Sequence, residues 1–403
     1  MQRRQVLRGL VAAGGLSALG ACLDFEESIP TGDPARRPAR QHAWNDLLRT
    51  DEHGTHRLPE HHVLLSLTYE GADRDRDRQT VETALQDLER AYEASAAGLL
   101  FTLGYTPAYF ERFDQSLATD LPPPGPVLSN ENVATEDADA VLHLASDHAS
   151  AVLEARLALL GEVSEANGVD VTPLDGLFEV THRRSGFIGR GLPAENDDNL
   201  LGIPPDAVDE VAPTFMNFRS GLRQTQATEN RVTIQTGRFA GGTTQHVEAL
   251  RLLLSEWFEH STDEQIARLF SPELDVEDVG EHGERLTDDN RVETVPASNL
   301  KSVAEEYGVV GHVQKMSHLR EDGRPPILRR DVNSADNGEA GMLFVSLQRA
   351  FEDYRRVRRA MAGPDLPDET PIQDRRDNGI RQYIRTRRRG NILVPPRELR
   401  SLP

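Results

Sequence analysis

Strand-length and helix-length apolar patterns alternate along residues 62–181, and that alternation limits the folds open to this chain. His62–Glu70 alternates, with Leu65, Leu67 and Tyr69 on one face, as a half-buried strand does. Over residues 78–95 the period changes: Val81, Ala84, Leu85, Leu88 and Tyr92 form one helical stripe. Gly98–Leu103 reads as a buried strand, followed by a Pro/aromatic turn from Tyr105 to Phe110. Ala140–Ala145 reads as a further strand. Asp147 is placed to cap a helix running to about Leu160, and Leu177–Thr181 closes the unit as a strand. The order strand-helix-strand-strand-helix-strand is the ferredoxin-like pattern, an α+β unit with an antiparallel sheet.

The theme returns less regularly after a Pro/Asp/Asn-rich linker over residues 192–211. Arg231–Thr236 reads as a strand. Thr244–Phe258 reads as a helix with Val247, Leu250, Leu254 and Trp257 on one stripe. Ile327–Val332 and Gly341–Leu347 read as strands, and Gln348–Ala362 as a helix. The acidic stretch Ser271–Asn290 reads as a solvated loop, and the cluster Arg385–Arg389 as an exposed helix end balancing the acidic surface. The expected organisation is an N-terminal ferredoxin-like domain over 46–191 and a C-terminal one over 212–403. A chain of 403 residues is long enough to bury both cores.

Charge removes some functions. With 45 basic and 66 acidic residues the net charge is −21, which argues against general nucleic-acid binding. Lys301 and Lys315 are the only lysines, so 43 of the 45 basic residues are arginine. An acid-rich, lysine-poor surface is expected of a halophilic protein, because high salt screens self-repulsion.

The first 22 residues read as an export signal. Arg3 and Arg4 form a twin-arginine pair, and Val6–Leu19 is too short and Gly/Ala-rich for a good membrane span. Leu19-Gly20-Ala21-Cys22 looks like a lipoprotein box, and Cys22 is the only cysteine. The expectation is export by the twin-arginine route and attachment to the membrane through a lipid on Cys22. Residues 23–45 read as a flexible tether. With no other cysteine, disulfides are excluded.

Five stretches resemble the dye-decolourising peroxidases, a haem-binding family of two ferredoxin-like halves of the dimeric α+β barrel type. They are Gly98–Tyr105, Gly311-His312-Val313-Gln314-Lys315, Ile327-Leu328-Arg329-Arg330, Gly341-Met342-Leu343-Phe344-Val345 and Asn391–Pro396. The resemblance spans roughly residues 42–397. It implies haem b in the C-terminal half, with His312 as the axial iron ligand, and reaction of hydrogen peroxide with an unknown electron donor. A homo-oligomer is possible. His318 is a rival ligand, but His312 lies 17 residues before Arg329, the spacing the resemblance favours.

Each residue also has a chemical reading. A haem iron takes one strong axial ligand, usually a neutral imidazole. Gly311 lets the backbone beside His312 approach closely. Arg329 lies in an alternating strand, so it points opposite to Leu328 and Arg330. A fixed guanidinium can hold peroxide and stabilise charge on the departing oxygen. Met342 and Phe344 share one strand face and would wall the pocket. Lys315 is placed to contact a haem propionate.

One departure matters. The family's acid sits in a Gly-x-x-Asp-Gly motif, and the match here is Asn217-Phe218-Arg219-Ser220-Gly221. Ser220 can hydrogen-bond peroxide or a water but cannot shuttle a proton as a carboxylate does. Glu229 is a nearby acid that could substitute. The alternatives are therefore a peroxidase, a haem-binding or haem-transfer lipoprotein, and a scaffold that has lost haem. Asp51–His62 has metal-like residues without a zinc-protease helix spacing. Gly237–Gly242 lacks a Walker lysine, and no nucleophile elbow occurs.

Overall fold

A computed structural model describes residues 28–403, apart from 114–116, 118, 129–130, 198–199, 294–295, 297–298, 364–371 and 373–374. Arg3, Arg4 and Cys22, and with them the export and lipidation readings, lie outside the described residues. Among the described residues no helix is long and apolar enough to cross a membrane.

The N-terminal half is built from β1 (His61–Tyr69), α1 (Arg74–Ala91), β2 (Leu100–Tyr105), β3 (Ala140–Ser146), α2 (Ala149–Leu159) and β4 (Phe178–Phe187). The C-terminal half contains β5 (Thr243–Leu252), α3 (Thr262–Leu269), α4 (His312–Ser317), β6 (Leu328–Arg329), β7 (Val332–Ser334), β8 (Gly341–Gln348), α5 (Phe351–Ala362) and β9 (Ile384–Val394). The antiparallel strand order is β4-β1-β3-β2 in the first half and β9-β5-β8-β6 in the second. Both follow the ferredoxin-like order fourth-first-third-second. The halves close on one another at two seams. Leu393 of β9 pairs with Tyr105 of β2, and Asn333 of β7 pairs with Phe187 of β4 while β7 also pairs with β8. The result is one barrel-like closed sheet.

Alternation gives each strand two jobs. In β1, Val63, Leu65, Leu67 and Tyr69 pack against Val81, Leu85 and Leu88 of α1 and Val152 and Ala155 of α2. Leu64 points the other way and joins Val141, Val247, Leu343, Val345 and Ile392 inside the barrel. α1 starts at Asp73, whose carboxylate accepts from the Arg76 amide, as an N-cap should.

Several expected elements take another form. Thr244–Phe258 is not a helix: it forms β5 and then one helical turn, Leu254–Trp257. The β-branched Thr243, Thr244 and Val247 suit a strand flanked on both sides, by β8 and β9. Arg231–Thr236 is not a strand, because Thr228 caps a helical turn over Glu229–Val232. Arg385–Arg389 is not a helix end but part of β9, and Arg389 is 1% exposed. Asp147 does not cap α2, whose N-cap is His148; it pairs with Arg49 and accepts from the Glu60 amide.

Three segments expected to be loose are fastened. In the expected tether, the Arg37 guanidinium donates to the Leu99 and Tyr92 carbonyls, and Trp44 is 1% exposed. The 192–211 linker buries Leu192 and Val208 in the second core. The acidic 271–290 stretch buries Val279 and Leu286 in the same core, with Asp275 capping its helical turn.

Candidate functional site

The chain between β5 and β6 is long, and it holds a cavity of about 510 Å³ against the outer face of the second-half sheet. That is within the roughly 300–1,000 Å³ usual for small-molecule sites. Leu250 of β5 and Met342 and Phe344 of β8 form the sheet wall. Val313 and Met316 of α4 and Val357 of α5 add apolar surface.

His312 begins α4 and lines this cavity. Its backbone is clamped from two sides. A Cβ on Gly311 would stand 1.9 Å from the Phe270 carbonyl oxygen, so only glycine fits. Gly379, at φ +60°, would place a Cβ 3.0 Å from the His312 Cα. Burial above all, and then the charges of Lys315, Arg329 and Arg358, holds the imidazole well below the usual histidine range. The ring is therefore unprotonated near neutral pH. Among the described residues its buried Nδ1 has no hydrogen-bond partner.

Arg329 also lines the cavity. Its strand is held in place by Gln226, which accepts from the Arg329 amide at 2.8 Å and donates to its carbonyl at 3.2 Å. The guanidinium Nη1 donates to Asp331 Oδ2 at 3.1 Å. Arg330 faces the opposite way, as alternation requires. It donates to the His42 carbonyl at 2.6 Å, pairs with Glu229 at 3.3 Å and lies 4.2 Å from the centre of the Trp44 ring.

Ser220 lines the cavity from an exposed position. Asn217 at φ +68° and Gly221 at φ +78° are both left-handed. Asparagine tolerates the left-handed backbone that glycine adopts freely, and position 220 carries a hydroxyl rather than a carboxylate.

Three expected participants are elsewhere. Lys315 is fully buried, and its ammonium donates to the Met361 and Asn378 carbonyls at 2.8 and 3.0 Å. It is a brace between α4 and the chain after α5, not a cavity residue. His318 follows α4 and is not on the cavity wall. Glu229 accepts from the Trp44 and Asn45 amides at 2.6 and 2.9 Å and lies outside the cavity.

Sequence reasoning missed the cavity's carboxylates. Among the described residues they are Glu131, Glu248 and Asp331, facing seven arginines: Arg219, Arg320, Arg329, Arg358, Arg375, Arg381 and Arg385. Arg389 and Arg358 bind Glu131, and Arg389 also pairs with Glu248 at 2.8 Å. The Tyr354 hydroxyl donates to Glu248 at 3.1 Å. Asp331 had one available signal: it lies two residues after Arg329, on the same side of an extended chain.

The residues fit a haem. They offer an unprotonated imidazole, apolar walls and an excess of arginine for a ligand bearing carboxylates.

In three dimensions the chain is similar to dye-decolourising peroxidases. A putative peroxidase of this type from Shewanella oneidensis aligns at a TM-score of 0.57 and 13% identity, over 86% of this chain and 95% of that one. A dye-decolourising peroxidase from Bacteroides thetaiotaomicron gives 0.56 and 14%, over 89% and 98%. A variant of DypB from Rhodococcus jostii RHA1, in complex with heme, gives 0.56 and 16%, over 90% and 99%. At these identities the likeness shows the fold. No curated protein matches the chain. Residues 59–396 match the model of a family of unknown function, DUF7405, and the chain belongs to that family.

Proposed function

We propose that the protein is a haem-dependent peroxidase that binds haem b through His312 and uses hydrogen peroxide to oxidise an unidentified donor. One observation carries the reading: burial keeps an imidazole unprotonated on the wall of a cavity that also contains the Arg329 guanidinium. When bound, the haem supplies an iron at which hydrogen peroxide takes up two electrons from the donor and two protons, leaving as two waters. His312 offers a lone pair without first losing a proton. Arg329, permanently charged and held by Gln226, stabilises negative charge on the departing oxygen. Met342, Phe344 and Leu250 keep the reacting face dry. The surplus arginines balance the carboxylates of haem b.

Rapid mixing of the haem-loaded protein with hydrogen peroxide tests this. Wild type is expected to consume peroxide, and Arg329→Leu to slow it at least 100-fold with haem still bound, a loss of the size seen on removing one charge-stabilising donor. Ser220, in the place of an acid, supports a second reading: a haem-binding or haem-transfer lipoprotein. Bound haem that is inert to peroxide in wild type would favour it.

The same proposal places the mature protein on the extracytoplasmic face of the membrane. Arg3 and Arg4 would direct twin-arginine export, a lipid on Cys22 would anchor it, and the acidic, lysine-poor surface would suit high salt. Cys22→Ser is expected to release the exported protein from the membrane fraction.

A further inference from the structure

Ser220 leaves the proposed reaction without an obvious group to move a proton, and three carboxylates line the cavity. Two are committed. Burial pushes Glu131 up, but hydrogen bonding from Arg389, the charge of Arg358 and the Val127 amide outweigh it and bring it to about 2. Burial acts on Glu248 in the same sense and is outweighed by His246 and by Arg389 and Arg358. Asp331 differs in geometry. Its side chain is 9% exposed, Oδ2 takes the Arg329 hydrogen bond, and buried Oδ1 has no well-formed hydrogen bond among the described residues. An unpartnered carboxylate oxygen beside a cavity is costly unless it binds a proton or a ligand.

We infer that Asp331, not Ser220, holds and moves the proton at hydrogen peroxide in this cavity, acting beside Arg329. This rests on the haem-peroxidase reading. Asp331 Oδ1 accepts the proton from one peroxide oxygen and returns it to the other as the O–O bond breaks. That oxygen leaves as water, and the carboxylate ends as it began. With haem bound, two electrons from the donor and two protons from solvent would carry the other oxygen to a second water, so that hydrogen peroxide, two electrons and two protons give two waters. Burial, opposed by Arg329 and the Val345 amide, raises the Asp331 carboxyl to about 6, near the value that serves an acid–base group at neutral pH. The other charged or titratable groups around the cavity, among the described residues, are His312 on α4, Tyr354 and Arg358 on α5, Glu248 on β5, Arg385 on β9, Arg219 on the 214–225 segment, and Glu131, Arg320, Arg375 and Arg381 on the connecting chain. Among the described residues, Arg329 alone of the cavity side chains bonds to Asp331.

The test uses the haem-loaded protein, hydrogen peroxide, and the variants Asp331→Asn and Asp331→Glu. In wild type the rate constant for reaction with peroxide is expected to rise with pH through a midpoint near 6. Asp331→Asn should lose that pH dependence and at least 100-fold in rate, within the roughly 10²–10⁴ of a general acid–base group, with its haem absorption unchanged. Asp331→Glu should regain part of the rate and a pH midpoint. Asp331→Asn reacting within threefold of wild type, or keeping the midpoint, overturns the inference. A readout without haem stands beside it: the protonated-carboxyl stretch in the infrared difference between wild-type and Asp331→Asn apoprotein should titrate near pH 6. A midpoint near 4 also overturns it. Failure of wild type to bind haem at all would instead remove the peroxidase reading beneath it.

Discussion

At Gly311 a single hydrogen atom decides where the candidate ligand sits. A methyl group there would meet the Phe270 carbonyl at 1.9 Å, and backbone on both sides leaves no flexible atom to move. Gly311→Ala is expected to destabilise the apoprotein by about 1–3 kcal/mol, the usual cost of overpacking, and to weaken haem uptake. Thermal unfolding and a haem titration check both; an unchanged Tm would contradict the clamp. Asp331 makes the opposite kind of prediction. Its folded value of about 6 lies above an unfolded value near 3.9. The stability it contributes is therefore complete below about pH 4 and is lost as pH rises through 6. Near pH 7 its ionised form costs about 3 kcal/mol. Asp331→Asn, always neutral, should raise apoprotein stability by that order at pH 7 and by little at pH 4. Equal gains at both values, measured by chemical denaturation, would refute it.

At the scale of elements, the closed sheet is held unevenly. Ile384–Val394 of β9 pairs along Thr243–Leu252 of β5, whereas each antiparallel seam between the halves rests on one residue pair, supplemented on the β9 side by a short parallel pairing of Arg388 and Arg389 with Ala134 and Thr135. Amide hydrogen exchange is expected to be faster around Leu393–Tyr105 and Asn333–Phe187 than at Val247 or Val345, because short pairings open locally at lower cost. Uniform protection would contradict this. The same elements show what the sequence made legible. β1, α1, β2, β3, β8 and α5 are readable because each buries one face and its period is unambiguous. β5 is not: Val247, Leu250, Leu254 and Trp257 mimic a helical stripe, and only its two neighbouring strands decide the matter. The opposed directions of Arg329 and Arg330 follow from strand alternation. Asp331 as a buried cavity carboxylate does not, since the cavity it lines is also walled by α5 and the 214–225 segment, whose approach the local pattern does not reveal. The burial of Lys315 is hidden for the same reason: its partners, Met361 and Asn378, lie about 50–60 residues on.

Across the whole molecule, buried imidazoles set the response to acid. His42 and His62 are lowered to about 3 and His61 to about 4, all mainly by burial, and His143 and His312 lie well below the usual range for the same first reason. His62 Nδ1 and His143 Nε2 stand 2.9 Å apart, sharing one proton between them. These folded values are depressed, so the unfolded chain binds the protons first. Stability is then lost as pH falls from about 6.5 towards 4, by about 1.4 kcal/mol per pH unit for each histidine. The apoprotein is expected to unfold steeply in that window, with the fluorescence of buried Trp44 and Trp257 reporting the transition. A protein still folded at pH 4 would contradict the buried, neutral assignment.

The most direct measurement is an absorption titration of purified apoprotein with haem b, comparing wild type with His312→Ala and His318→Ala. Wild type and His318→Ala are expected to develop the same sharp Soret band at one haem per chain, and His312→Ala to lose it or shift it to that of an iron without the imidazole. No saturable binding by wild type, or an identical spectrum for His312→Ala, would contradict the assignment of this cavity to haem.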